Sequence, residues 1–372
     1  MKITFLVFNF GGGLVSALGP VMNGLVQRGH KVTLLCGRLP DAGRSALSDA
    51  VHMKELEVNR VAVMWSGIVA HLRTGTPDVM VSATPGVNAL SILASKVFGD
   101  SVPVIATQHV HFSEGLRRRR LVDRCALRVA VRWSYGHAHK VVCVSRGVER
   151  DIQEVAALDS RSTRTIHNGV LTPDSADRYQ ADPPHPWFHD EGPPIVLGVG
   201  RLTPQKDFQT LISAYAQLST ELSARLLILG EGPCRKSLES QVANLGLDHR
   251  RVSLPGFVSN PLPFFRKASV FCLSSKWEGF GNVLVEALGA GVPIVSTDCP
   301  SGPREILEGG RWGVLVPPEA PLDMAKALSE QLMDPPNMSD ARARAWERFG
   351  QEVMLEGYLR ELEEILVSAS PS

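Results

Sequence analysis

Short, nearly continuous apolar runs punctuate the first half of the chain at Ile3–Phe8, Val32–Cys36, Val79–Ser82, Val104–Thr107 and Val141–Val144. A strand with one solvated face would alternate apolar and polar residues. Unbroken runs this short predict strands buried on both faces. The second half repeats the arrangement at Ile195–Val199, Leu226–Leu229, Val252–Leu254, Val270–Leu273 and Ile294–Ser296. Stretches such as Leu14–Gln27 and Phe208–Leu218 lie between the runs and space their apolar residues for one helix face. Strand and helix in alternation predict parallel sheets covered by helices. The alternation occurs twice, so the expected fold class is α/β, with two doubly wound domains at about 1–175 and 190–345. The expected boundary is the stretch 172–194, where Pro173, Pro183, Pro184, Pro186, Pro193 and Pro194 read as a linker. Helical spacing returns over Ala341–Val367.

Composition narrows the class. Of 372 residues, 44% are hydrophobic and 21% charged, ordinary values for a globular protein. No apolar run reaches the roughly 18 residues that a spanning helix needs. Gly11-Gly12-Gly13 follows the first apolar run where a signal peptide would carry a cleavage site, so the expected compartment is the cytoplasm. The six cysteines are scattered with no Cys-x-x-Cys pair, which argues against a zinc or redox motif. Net charge is +1, but residues 1–180 hold 22 Lys/Arg against 14 Asp/Glu. The rest of the chain is correspondingly acidic, and a basic first half suggests an anionic partner there.

Candidate chemistry concentrates in the second half. Gly198-Val199-Gly200-Arg201 through Lys206-Asp207 follows a strand and precedes a helix. Cations held at such a loop suit a diphosphate, though Arg201 and Lys206 also read as solvated loop charges. Gly230-Glu231-Gly232 is a second glycine turn at a strand end, and Gly256-Phe257-Val258 a third. The most specific segment runs Glu278-Gly279-Phe280-Gly281-Asn282-Val283-Leu284-Val285-Glu286, with its glutamates eight positions apart. Its loop offers backbone N–H groups, and the helix expected from Asn282 favours a phosphate at its N-terminus. Glu278 is then available to sugar hydroxyls and Glu286 to ribose hydroxyls. The alternative is a capped helix with two surface acids.

These segments, with Asp298-Cys299-Pro300-Ser301-Gly302-Pro303-Arg304, resemble in order those of glycosyltransferase family 4. The resemblance implies the GT-B fold, two facing Rossmann-like domains with a C-terminal crossover helix at about 346–367. It implies a retaining hexosyl or N-acetylhexosaminyl transfer from a nucleotide sugar, with UDP favoured because many relatives use it. The acceptor would be a glycan or a lipid-linked sugar, as in cell-surface polysaccharide or glycolipid synthesis. In the first half it implies substrate contacts at Gly12 and Gly13, and a catalytic contact with the donor sugar at His109. Leu14-Val15-Ser16 departs from the family's usual residues after the glycines. No Asp-x-Asp pair occurs, so no metal and no cofactor is expected. A sugar-nucleotide epimerase of the same fold is an alternative. A dinucleotide-binding oxidoreductase is another, but positions 11–16 lack the Gly-x-Gly-x-x-Gly fingerprint.

Arg117-Arg118-Arg119-Arg120, then Arg124, Arg128 and Arg132, form a basic segment. The last four recur every four residues and are expected on one helix face. The plain alternative is a solvated face; the expectation is that it suits an anionic membrane surface or a lipid diphosphate, which would make the protein peripheral to the membrane. Nucleic acid is not expected, since no binding module accompanies the charge.

Overall fold

The computed structural model describes residues 1–98, 102–117, 120–189, 191–218 and 222–369. The chain divides into two compact units, Met1–Gly169 with Gln351–Ser372, and Val170–Gly350. The first unit holds a parallel sheet of β1 (Lys2–Asn9), β2 (Lys31–Arg38), β3 (His52–Glu55), β4 (Val79–Ala83), β5 (Val104–Gln108), β6 (Lys140–Cys143) and β7 (Thr163–Thr165), in the order β3-β2-β1-β4-β5-β6-β7. Phe5 at its centre lies level with Leu34 on one side and Val81 on the other. The second unit holds β8 (Ile195–Val199), β9 (Arg225–Leu229), β10 (Val252–Gly256), β11 (Val270–Leu273), β12 (Ile294–Thr297) and β13 (Val314–Val316), in the order β10-β9-β8-β11-β12-β13.

All ten expected strands are present, and the interior ones are buried along nearly their whole length. Three strands have no counterpart in the expected set. β3 reads His-Met-Lys-Glu and β7 reads Thr-Arg-Thr, and both form edges of their sheet. An edge strand keeps polar residues facing water and so lacks the apolar run that marks an interior one. β13, also an edge, is three residues long.

Each sheet reverses its strand order once. The chain leaves β1 toward β2 and returns beside it as β4, and it leaves β8 toward β9 and returns as β11. Loops at the carboxyl ends of the two strands splay apart at such a point, which opens a crevice for a ligand.

The proline-rich stretch is not an open linker. It folds within the second unit as a helix, Ser175–Gln180, and a 3-10 turn, Pro186–Phe188. Tyr179 is buried, and the Phe188 ring meets Phe264 edge-on at 5.5 Å. Proline suits the first position of a helical turn, and the interleaved aromatics supply the burial.

The helical stretch expected over 341–367 is two helices, Ser339–Phe349 and Gln351–Ala369. Gly350 between them is extended and pairs with Leu171. The second helix packs into the first unit, where Met354, Leu355, Tyr358, Leu359, Leu362 and Ile365 join a core with Leu18, Met22 and Leu25. Contact is close: a Cβ added at Gly24 would lie 2.2 Å from Leu355 Cδ2.

The basic segment forms a helix over Leu121–Tyr135. Arg120 is extended and precedes it, so the regular face begins at Arg124 rather than Arg120. Arg118 and Arg119 lie outside the described residues. Arg128 and Arg132 are exposed together with Leu121, Val129 and Trp133. Val131, Ser134 and Tyr135 of the same helix are buried.

Candidate active site

In the second unit the loops after β8, β9 and β10 are tied by backbone hydrogen bonds. Gly200 N–H donates to the Leu229 carbonyl at 3.0 Å, Leu202 N–H to Glu231 at 2.8 Å, and Gly230 N–H to Gly256 at 2.8 Å. Gly230 has φ +142°, and a Cβ there would lie 1.9 Å from the Gly200 carbonyl oxygen. No residue with a side chain fits that approach. Arg201 stands exposed on the β8 loop, and Val258 follows β10 half-buried.

Lys206 returns from the β8 loop toward β11. Its Nζ donates to Glu278 Oε1 at 2.5 Å, and Ser275 Oγ donates to the same oxygen at 2.6 Å. Both charged side chains are largely buried, at 14% and 7% exposure. The pair therefore sits where strand order reverses, between β8 and β11. Lys206 and Glu278 were separate candidates in the sequence; folding makes them one unit. An ammonium has three N–H groups, so this bond leaves Lys206 able to donate further. The surrounding backbone is fixed by Ser274 Oγ donating to the Lys206 carbonyl at 2.7 Å, and by Glu278 N–H donating to Pro300 at 3.1 Å.

Gly279, Phe280 and Gly281 carry the chain from Glu278 into the helix Asn282–Ala290. Gly281 precedes this helix with φ +103°, and as a glycine it brings no side-chain cap of its own. Phe280 is buried against Phe349, with ring centroids 5.5 Å apart. Gly302 approaches so closely that a Cβ there would be 1.8 Å from the Phe280 carbonyl oxygen. Asn282 and Val283, half-buried, form the first turn, whose N–H groups make it the positive end of the helix.

Glu286 lies in the second turn of that helix. Its backbone carbonyl accepts from Tyr179 Oη at 2.7 Å. Among the described residues its buried Oε2 has no hydrogen-bond partner. Burial pushes the carboxyl up to about 7, against the opposing pull of Arg178 and Lys206. A buried acceptor without a donor is costly, and a ligand hydroxyl would satisfy it.

In the first unit, Gly12 and Gly13 follow β1, and the helix Gly13–Gln27 starts there. A Cβ added at either would meet nothing within 4 Å, so the loop borders open space. His109 follows β5 on the same edge of the sheet, with β4 between β5 and β1. Its Nε2 lies 2.8 Å from Thr107 Oγ1, and burial lowers the ring to about 4.

Ser275, Tyr179 and Thr107 belong to these clusters, and nothing in the sequence singled them out. Ser275 stands three positions before Glu278, a spacing that a search for hydroxyls beside the acidic loop would have caught. Tyr179 lies 107 positions from Glu286 and carries no such signal.

The family model for glycosyltransferase family 4 matches residues 11–172, and that for glycosyl transferases group 1 matches 183–348. Over 160 residues the chain is 36% identical to an N-acetylgalactosaminyltransferase of Campylobacter jejuni that acts on a diphospho-undecaprenol-linked sugar, covering 41% of this chain and 43% of that one. It is 27% identical to the lipopolysaccharide core biosynthesis glycosyltransferase LpsE of Rhizobium meliloti, covering 97% and 96%. The crystal structure of Anabaena HepE in complex with UDP superposes with a TM-score of 0.81 at 21% identity, over 98% of this chain and 100% of that one. Two parallel sheets flanked by helices, matched along their whole length, are the two Rossmann-like domains of the GT-B fold.

Proposed function

The chain belongs to the family 4 glycosyltransferases, whose group 1 transferase half lies at 183–348, and on that premise we propose that it transfers a hexosyl or N-acetylhexosaminyl group from a UDP-sugar to a glycan or lipid-linked acceptor, with retention of configuration, in the synthesis of a cell-surface polysaccharide or glycolipid. The observation that carries the reading is the buried Lys206–Glu278 pair at the strand-order reversal, beside the helix that holds Glu286. Arg201 and the spare donors of Lys206 neutralise the charge that grows on the departing diphosphate, assisted by the first turn of Asn282–Ala290. These cations act where a metal would otherwise supply positive charge. Glu278 orients the reacting sugar, and Glu286 accepts from the ribose hydroxyls. Gly230 and Val258 border the base, and Gly279 to Val283 surround the phosphates. The first unit contributes the open Gly12-Gly13 loop and His109 to substrate binding.

No helix among the described residues is long and apolar enough to cross a membrane. The helix Leu121–Tyr135 presents Arg128 and Arg132 beside exposed Leu121, Val129 and Trp133. Apolar and cationic side chains on one face suit an anionic membrane surface. We therefore assign the protein to that surface, where a lipid-linked acceptor would be held.

The test is direct. Incubation with UDP-, GDP- and ADP-sugars in excess chelator, with lipid-diphosphate-linked sugars as acceptors, should release UDP and lengthen the acceptor. Release of no nucleotide from any donor, or release only after a divalent metal is restored, would sink the reading.

A further inference from the structure

The end of β5 holds a hydrogen-bond arrangement that the proposed reaction does not account for. Thr107 is fully buried, and its hydroxyl donates to the Ser82 carbonyl on β4 at 2.9 Å. The same oxygen lies 2.8 Å from His109 Nε2. A threonine hydroxyl has one hydrogen. With that hydrogen committed to Ser82, the oxygen acts toward His109 as an acceptor, and Nε2 must carry the ring's proton. The backbone on either side is pinned. Asn88 Nδ2 donates to the Thr107 carbonyl at 3.1 Å, and Gln108 Nε2 to the Val110 carbonyl at 2.7 Å. Tyr135 Oη donates to Gln108 Oε1 at 2.7 Å, which sets the orientation of that amide. Neither neighbour of His109 can turn without breaking buried hydrogen bonds.

We propose that Thr107 is a positioning residue that holds His109 as the neutral Nε2–H tautomer, leaving Nδ1 as an acceptor for a substrate sugar hydroxyl. In a neutral imidazole one nitrogen donates and the other accepts, and the partner of one nitrogen decides the role of the other. Burial keeps the ring neutral at working pH. An Nδ1 lone pair selects a hydroxyl and rejects a ring or chain position without one. The second half of the proposal rests on the assignment of His109 to substrate binding; the tautomer does not.

The experiment is nitrogen-15 and proton NMR of the imidazole of the free, full-length protein at neutral pH, with turnover measured on the same samples. Wild type should show a protonated Nε2 and an unprotonated Nδ1. Thr107→Val should lose this signature and lower kcat about tenfold, the range expected for one hydrogen bond at a reacting group. Thr107→Ser keeps the hydroxyl and should restore both the spectrum and most of the rate, which a purely structural role for the threonine methyl would not. A protonated Nδ1 in wild type, or an unchanged tautomer in folded Thr107→Val, overturns the proposal. The predicted spectrum combined with full turnover by His109→Gln would instead remove His109 from substrate binding, and the second half of the proposal with it.

Discussion

Arg201 and Lys206 are both cations on one loop, yet their substitutions should differ. Arg201 is exposed, so Arg201→Ala should weaken donor binding by roughly 1.5–3 kcal/mol, the range for a charge-assisted hydrogen bond, and leave the melting temperature alone. Lys206→Ala strands Glu278 as a buried carboxylate without its cation, and should cost stability as well as affinity. Calorimetric titration with donor and thermal melts of both variants check this; equal melting temperatures would mean that the ion pair is energetically idle. The two glutamates should also fail differently. Glu278→Gln removes charge beside the reacting sugar and should lower kcat strongly, whereas Glu286→Gln should mainly raise the donor Kd, since ribose is unchanged by the reaction. Wild-type kcat in Glu278→Gln would exclude it from the chemistry. Glu286 also links stability to pH. Its carboxyl is raised to about 7 in the fold from 4.5. Between those values the folded chain holds a proton that the unfolded chain has lost. Its contribution to stability is therefore full below about 4.5 and is lost as pH rises through about 7. Glu286→Gln should melt higher than wild type at pH 8 and show no such advantage near pH 4.5. Scanning calorimetry across this window reads the difference, and a constant offset would show that burial of the carboxyl is not its cause.

The helix Leu121–Tyr135 has Tyr135 in the core and Arg128, Arg132, Val129 and Trp133 at the surface. Exposed apolar residues on a helix cost little in water singly; grouped with arginines they are the surface that the proposed membrane attachment would use. The protein should co-sediment with vesicles rich in anionic lipid, each basic residue near the surface adding about 1 kcal/mol. Binding should fall with salt, since screening acts over about 8 Å at physiological ionic strength. Arg128→Glu combined with Arg132→Glu should abolish vesicle binding and spare donor binding. Indifference of wild type to anionic vesicles at low salt would leave the arginines as a solvated face.

The first unit is completed by residues from the far end of the chain. Six side chains of Gln351–Ala369, from Met354 to Ile365, are buried in its core. Burying one such side chain stabilises by roughly 1.5–3 kcal/mol. Six together match the 5–15 kcal/mol by which a whole domain is stable. A chain ending at Gly350 should therefore have an unfolded first unit and a folded second one. Limited proteolysis should digest Met1–Gly169 and leave Val170–Gly350, with donor binding retained by the fragment. Resistance of the first unit to protease would show that the terminal helix is dispensable.

Much of this was readable along the chain, and for a local reason. Interior strands announce themselves because burial on both faces demands an unbroken apolar run, and helices because one face repeats. Gly230 and Gly281 stand out because their backbone, at φ +142° and +103°, disfavours a side chain there. The candidate residues of the second unit are legible in the sequence because they cluster after strands, where parallel sheets open. Edge strands β3 and β7 were not visible, since water on one side relaxes the demand for apolar residues. The helix break at Gly350 was masked by apolar spacing that continues across it, and is set by pairing with Leu171. The proline-rich stretch looked open until Tyr179 and Phe188 found partners far along the chain. Nor does the sequence say that Lys206 and Glu278, 72 positions apart, share one hydrogen bond, or that Glu286 Oε2 lacks a partner among the described residues. Periodicity and turn chemistry act between neighbours, so the linear chain records them. Ion pairing, desolvation and the direction of a hydroxyl hydrogen arise between residues that only folding brings together.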